Sequence, residues 1–369
     1  MWNRIRALII KEFHAIWRDK KSRFVLIVPP LIQLLIFGYA ASFDVNHLAT
    51  VIFNEDDGLP ARELVARFEG SPTFEVVGHI SRESEIAQVI DPRRARLLIH
   101  IGPTFSRDIR ANPPAKVQLI VDGRESNTSL VVLGYAGRIV ADFNSEWAKA
   151  HGEALPSAHL VVRSWFNPNL ESRWFFIPGI VALLTMVVTI VVTALSVARE
   201  REVGTFEQLL VTPLRPLEIL VGKAAPALII GVAEGTLIVI VGILWFDIPF
   251  RGDVSLLYAG LVVYVLAVIG VGLMISSICR TQQQAILGAF LFIMPAVILS
   301  GFATPIANMP EAIQHLTLVN PMRYFLVIVR GIFLEELSAE LVFRQLWPMA
   351  AIAGVNLAGA AFMFRHRLS

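Results

Sequence analysis

Apolar residues fall in long unbroken runs at both ends of this chain, with a polar block between them. A helix needs roughly 20 mostly apolar residues to cross about 30 Å of hydrocarbon. Six stretches meet that measure: 24–43, 174–198, 224–246, 254–278, 283–304 and 346–364. They predict six transmembrane helices, because backbone in lipid must satisfy its own hydrogen bonds. Polar residues do not alternate with apolar ones along them, which argues against a transmembrane barrel.

The block 44–173 has a different rhythm. Short β-branched and aromatic runs at 50–54, 74–80, 97–101, 117–121 and 160–165 predict strands. Segments 59–70, 82–90, 103–110 and about 128–149 predict helices between them. That alternation, with turn signals at 54–58 and 122–123, predicts an inserted α/β domain. Glu55, Asp56 and Asp57 could suggest a cation site, but no calcium-loop spacing follows them and a solvated turn is the better reading. His79, His100, His151 and His159 form no paired ligand motif, so no metal is assigned.

Before the first span, residues 2–18 carry helical spacing. Trp2, Ile5, Ile9, Phe13 and Ile16 share one face, Arg4, Lys11 and Arg18 the opposite one, and Arg6 falls near the apolar edge. A basic helix with aromatics on its apolar side is expected to lie in the headgroup plane. The plainer alternative is a charged leader that only orients the first span.

Composition sharpens the picture. The chain is 55% hydrophobic and only 17% charged, against about 45–50% and about 25% in soluble domains. A net charge of +2 gives no argument for nucleic acid. The single cysteine, Cys279, excludes a disulfide framework within the chain and reads as a small residue at the end of an apolar run. No small-residue cleavage site follows the first apolar run, so that run is expected to be retained. Basic residues set the orientation. Arg4, Arg6, Lys11, Arg18, Lys20, Lys21 and Arg23 precede the first span; Arg199, Arg201, Arg215 and Lys223 flank the turn after the second. Arg280 follows the fourth, and Arg365 and Arg367 follow the last. Both termini are therefore expected in the cytoplasm and 44–173 outside. Segment 305–345 places Arg323, Arg330 and Arg344 outside, among Glu311, Glu335, Glu336 and Glu340.

The turn between the second and third spans is the most informative stretch. In REREVGTFEQLLVTP (199–213), Thr205 can cap a short helix, Phe206, Leu209 and Leu210 share a face, and Pro213 with Pro216 ends it. Apolar anchors with a polar rim make a docking surface; the bland reading is an ordinary hairpin turn, which would need neither this length nor these leucines.

That run resembles the coupling-helix segment of the type 2 ABC exporter permeases (the ABC-2 family). LSGFATPIANMP (299–310), NPMRYF (320–325) and RGIFL (330–334) resemble the family's last external segment, whose short helices re-enter the membrane. VDGRESNT (121–128), FNP (166–168) and Pro178-Gly179 are similar to the drug-efflux branch with a large external domain between the first two spans; Arg124 and Glu125 depart from its small polar residues. The resemblance covers essentially the whole chain. It implies that Glu202, Gly204, Thr205, Phe206, Glu207, Gln208, Leu209, Leu210, Thr212 and Pro213 dock on an ABC ATPase subunit that holds ATP and Mg. It also implies a second permease subunit (identical or paralogous), contacts with a periplasmic adaptor and outer-membrane channel, a bacterial inner-membrane location, and export of drugs or other amphipathic compounds. The organisation so expected is an interfacial helix at 1–23, the first span at 24–43, an extracytoplasmic α/β domain at 44–173, and five further spans at 174–369. Within the last, the coupling helix occupies about 203–213 and the re-entrant segment about 305–325.

No lysine sits in GxxxxGK[ST]; Gly222-Lys223 is followed by Ala224 without the upstream glycine. The chain is thus expected to bind no cofactor itself and to act as a transport subunit, not an enzyme. An intramembrane carboxylate, Glu234 in GVAEGT, either lines the substrate pathway or glues helices, with Gly231 and Gly235 allowing close approach. Gln33, Thr185, Thr189, Thr193 and Asn356 read as packing contacts, and Pro29, Pro30 and Pro295 as kinks. A membrane receptor with an external ligand-binding domain is the competing class, but it would need a cytoplasmic output domain. A membrane-embedded enzyme would show HExxH or a Ser–His pair in the spans, and none is found.

Overall fold

A computed structural model describes residues 2–18, 20–40, 47–90, 94–110, 115–121, 126–151, 171–205 and 215–368. It divides into two compact units, Met1–Ser42 with Ser164–Ser369, and Phe43–Arg163. In chain order the first unit begins with α1 (Trp2–Arg18) and α2 (Lys20–Ala40). The second unit follows as β1 (Leu48–Asn54), α3 (Leu59–Glu69), β2 (Phe74–Ile80), α4 (Ile86–Ile90), β3 (Leu97–Ile101), α5 (Phe105–Asp108), β4 (Val117–Val121) and α6 (Ser126–His151). The first unit resumes with α7 (Ser172–Val203), α8 (Pro216–Leu244), α9 (Val254–Ile278) and α10 (Gln282–Ile298). It closes with α11 (Glu311–Leu316), α12 (Pro321–Leu334) and α13 (Ala339–Leu368).

Among the described residues of the first unit four helices are long and apolar enough to cross a membrane: Ser172–Val203, Leu217–Leu244, Val254–Ile278 and Ala339–Arg365. Glu311–Val319 and Pro321–Leu334 pass together as a pair bent by 84°, giving up to five. Ile27–Tyr39 and Gln282–Ile298 are shorter apolar helices. The helix expected over 283–304 stops at Ile298, because the chain then turns through Gly301 at a φ of +87°, a left-handed conformation that suits glycine.

Between its charged ends α7 is apolar all round, as a helix surrounded by others should be, and it packs on α2, α8, α9, α10 and α12. Lipid tails supply no hydrophobic drive between helices, so close packing and buried hydrogen bonds do the joining. A Cβ on Gly272 would sit 1.7 Å from Thr193 Oγ1, and one on Gly231 2.5 Å from Thr189 Oγ1. Tyr264 donates its hydroxyl to Ala182 O at 2.9 Å and stacks on Phe325 at 4.5 Å. Asn356 donates to Ala267 O at 3.0 Å, which supports its reading as a packing contact. Asn320 caps α12 and donates to Ala296 O at 2.6 Å, fastening α12 to α10.

Helix α1 buries Ile5, Leu8, Glu12 and Ile16. This stripe is rotated from the expected one: Trp2 is 72% exposed and Glu12 is inside. The reason is a cation on α8 that meets Glu12, described below.

The second unit carries one four-stranded sheet in the order β2-β1-β3-β4. β1 runs parallel to β2 and β3, and β4 antiparallel to β3. The fifth expected strand, 160–165, lies outside the described residues. Period-two alternation sends Leu48, Leu97, Ile99 and Ile101 to one face, where α3 and α6 cover them through Leu64, Phe68, Phe143 and Trp147. Val51, Phe53 and Leu98 point to the other face, against Ile86, Val89 and Ile90. Asp56 accepts from Gly58 N at 2.7 Å and Ser106 N at 2.6 Å, so this acidic residue staples the turn after β1 to α5. Burial works against its charge, but those two N–H donors outweigh it and hold the carboxyl below its usual value. Burial likewise disfavours the His100 cation, yet bonds to Glu55 at 2.7 Å and Gln118 at 3.1 Å raise its pKa above the ordinary one. Among the described residues no group of His, Cys, Asp and Glu is arranged to hold a metal.

Candidate functional site

The segment expected to dock runs from the end of α7 to the start of α8, and a buried ion cluster joins those two helices. Lys223, in the second turn of α8, has a fully buried ammonium. It lies 2.9 Å from Glu12 Oε1 and 2.8 Å from Glu200 Oε2, and donates to Ser196 Oγ at 3.2 Å. Lys11 reaches Glu200 Oε1 at 2.7 Å from the outside. Two lysines and two carboxylates thus tie α1, α7 and α8 at one end of the helices. Close approach makes this geometry possible: a Cβ on Gly222 would fall 2.3 Å from Leu8.

The same end of α7 also holds α9 and α10. Arg201 donates to Ser277 O at 2.8 Å and Cys279 O at 3.1 Å, satisfying carbonyls at the end of α9. Ser276 donates to Ala194 O at 2.6 Å and accepts from Val197 N at 3.0 Å. Glu202 accepts from Gln282 N at 2.8 Å, at the first residue of α10. Gly204 ends α7 at a φ of +79°, and Thr205 N donates back to Glu200 O at 2.9 Å. Glu202, Gly204 and Thr205 therefore belong to the closure of α7. Phe206, Glu207, Gln208, Leu209, Leu210, Thr212 and Pro213 lie outside the described residues.

Glu12 and Lys223 were not singled out as a pair by the sequence. The signal was present: Glu12 stands four residues after Leu8 and four before Ile16, a charge inside an apolar stripe. A buried lysine in the second turn of a span is the partner such a charge requires.

Between α1, α2, α7 and α10 lies a cavity of about 290 Å³. Its walls are aliphatic and aromatic, including Ile16, Leu184, Val188 and Phe290, with Pro29 and Pro30 on one side. Gln33 and Arg199 are its polar lining groups. Glu234 does not line it. That carboxylate sits half-buried on α8, and its Oε1 is buried with no hydrogen-bond partner. Gly231, Gly235 and the Thr236–Tyr258 hydroxyl pair at 2.9 Å join α8 to its neighbours.

Residues 20–363 match the family described as ABC-2 family transporter protein. The chain is 41% identical, over the full length of both, to the probable multidrug ABC transporter permease YbhR of Escherichia coli. It is 35% identical to the probable multidrug permease YbhS of the same organism, covering 95% of this chain and 94% of that one. Identity to the inner membrane transport permease YhhJ is 28%, across 97% and 96% of the two chains.

Proposed function

From this chain's membership of the ABC-2 family of transporter permeases, we propose that it is the membrane half of an exporter whose work is driven by a separate ABC ATPase holding ATP and Mg. The observation that carries this reading is the Lys223 cluster. It makes the two helices that bound the docking segment one mechanical unit with α1. A push on that segment would move α7, α8 and α1 together, and α7 contacts most of the other helices. A ligand can shift a conformational equilibrium only by its differential interaction with two states; a stiff joint lets a contact in the cytosol provide one.

In this reading the chain has six spans, the two short helices Ile27–Tyr39 and Gln282–Ile298 included, with both termini in the cytoplasm of a bacterial inner-membrane protein. Residues 1–23 form the interfacial helix, 24–43 the first span, 44–173 an extracytoplasmic α/β domain, and 305–325 a re-entrant segment. A second permease subunit, identical or paralogous, completes the path, and the external domain meets a periplasmic adaptor linked to an outer-membrane channel. The aliphatic cavity with Gln33 and Arg199 on its wall suits an amphipathic compound drawn from the inner leaflet; the relatives named multidrug permeases favour the same class. Glu234, on α8 and away from that cavity, is a separate polar point for the substrate path.

Phe206, Glu207 and Leu210 test the docking. Phe206→Ala or Leu210→Ala should each remove roughly 2 kcal/mol of ATPase affinity if they are anchors of ordinary size, and Glu207→Lys should cost more by replacing attraction with repulsion. Co-purification of the ATPase and its substrate-stimulated hydrolysis are the readouts, with unaltered membrane insertion as the control. Unchanged association in all three variants would return the segment to an ordinary turn.

A further inference from the structure

Arg330 lies on α12, and its Nε and Nη2 are buried with no hydrogen-bond acceptor among the described residues. Its Cζ stands 3.9 Å from the ring centre of Phe175, in the first turn of α7. Phe176 meets Phe175 edge-on at 5.5 Å and Phe302 at 6.3 Å, so the ring under the guanidinium is the first of a row of three aromatics. Gly179 makes room for the group: a Cβ there would fall 3.4 Å from Arg330 Nη2 and 2.5 Å from Phe302. The other arginine of α12 behaves differently. Arg323 donates to Thr317 Oγ1 and to Gln314 O, and so has a plain structural role.

A buried cation without an anion is costly. Contact with one aromatic face returns only about 0.5–2 kcal/mol and leaves the in-plane N–H groups unsatisfied. Those N–H groups form a planar fork that matches a carboxylate or phosphate. Phe175 is 40% exposed, so an apolar body has a ring to lie on beside the charge. We propose that Arg330 and Phe175 form a binding site for the anionic headgroup of an amphiphile, with its apolar part along the aromatic wall. The headgroup belongs either to an exported compound or to a membrane lipid. Only the placement of this site on the outward side rests on the six-span reading above; the binding itself does not.

The test uses the full chain purified in neutral detergent, without the ATPase. Oleate is the anionic probe and oleyl alcohol its uncharged counterpart. Oleate should raise the melting midpoint of the parent chain, and oleyl alcohol should not. Arg330→Gln should abolish that shift and weaken oleate binding about tenfold, the loss expected for a charge-assisted hydrogen bond, with binding of the alcohol unchanged. Arg330→Lys keeps the charge and loses the fork, and should bind oleate several-fold more weakly than the parent; it carries the test if the glutamine variant does not fold. Nanodiscs separate the two sources. If phosphatidylglycerol, but not phosphatidylcholine, blocks the oleate response, the occupant is a lipid of net negative headgroup charge. If oleate competes in both, the occupant is a carboxylate amphiphile. Equal oleate binding by parent and both variants would overturn the proposal. So would a glutamine variant that melts lower without ligand yet keeps the full oleate shift, because the guanidinium would then be only a packing group. Failure of ATPase docking would leave these results standing, and the reverse also holds.

Discussion

Lys223 shows how one side chain can set the geometry around it. Its ammonium is fully buried between two carboxylates from different helices. Removing one partner of such a group strands the others in low dielectric, at a cost of roughly 3–5 kcal/mol. Lys223→Met leaves Glu12 and Glu200 facing each other with only Lys11, a half-exposed residue, to offset them. That variant should lower the melting midpoint of the purified chain and weaken the ATPase's response to substrate. Adding Glu12→Gln should recover part of the stability, because one stranded charge is gone. A double variant no more stable than Lys223→Met alone would show that the two residues do not act as a pair. Glu12 stands out in its apolar stripe, but its partner is 211 residues away, so the sequence marks the charge without naming what meets it. In the sequence Lys223 reads as an orientation signal and Arg330 as one of the charges falling outside, since burial is decided by neighbours from other helices.

At the scale of elements, periodicity carried most of the information. The four described strands fall where β-branched runs predict them, and β2, β3 and β4 have the expected bounds. Helix ends were less legible: α10 stops early at a left-handed glycine, and the stripe of α1 is turned by a charge that hydrophobicity alone would place outside. The sheet unit also permits a test of its electrostatics. Asp56 has a lowered pKa, so its contribution is present above the unfolded value of about 3.9 and is lost as pH falls through the folded one. His100 has a raised pKa, so its contribution is full below about 6.5 and is lost as pH rises through the folded value. An isolated 43–163 fragment should therefore fold, be most stable in weak acid, and weaken on both sides. Asp56→Asn should flatten the acid limb and Glu55→Gln the neutral one, read by urea unfolding across pH. If neither limb responds to its own variant, these two contacts do not set the unit's pH dependence.

For the whole molecule, sidedness decides whether the parts can work together. A docking segment at 203–213 can meet a cytosolic ATPase only if the α7–α8 turn faces inward. The number of spans before that turn then fixes everything else. If α2 and α7 both cross, the sheet unit between them is external and α1 begins inside. If α10 crosses despite its 17 residues, the bent α11–α12 pair is external and the C-terminus returns to the cytoplasm. Lipid can thin locally around a short span at a cost of a fraction of a kcal/mol per Å, so a 17-residue helix is no bar. Basic residues before and at the start of α2, at the end of α7, between α9 and α10, and in the last turns of α13 all agree with that order. Single cysteines at Ser71 and Ser369, in a chain with Cys279→Ser, separate the alternatives. A membrane-impermeant maleimide should label Ser71→Cys in intact spheroplasts and Ser369→Cys only after lysis. Labelling of both in intact spheroplasts would mean an even number of crossings between Ser71 and Ser369, so that either α10 lies on the surface instead of spanning or the bent α11–α12 pair crosses as well.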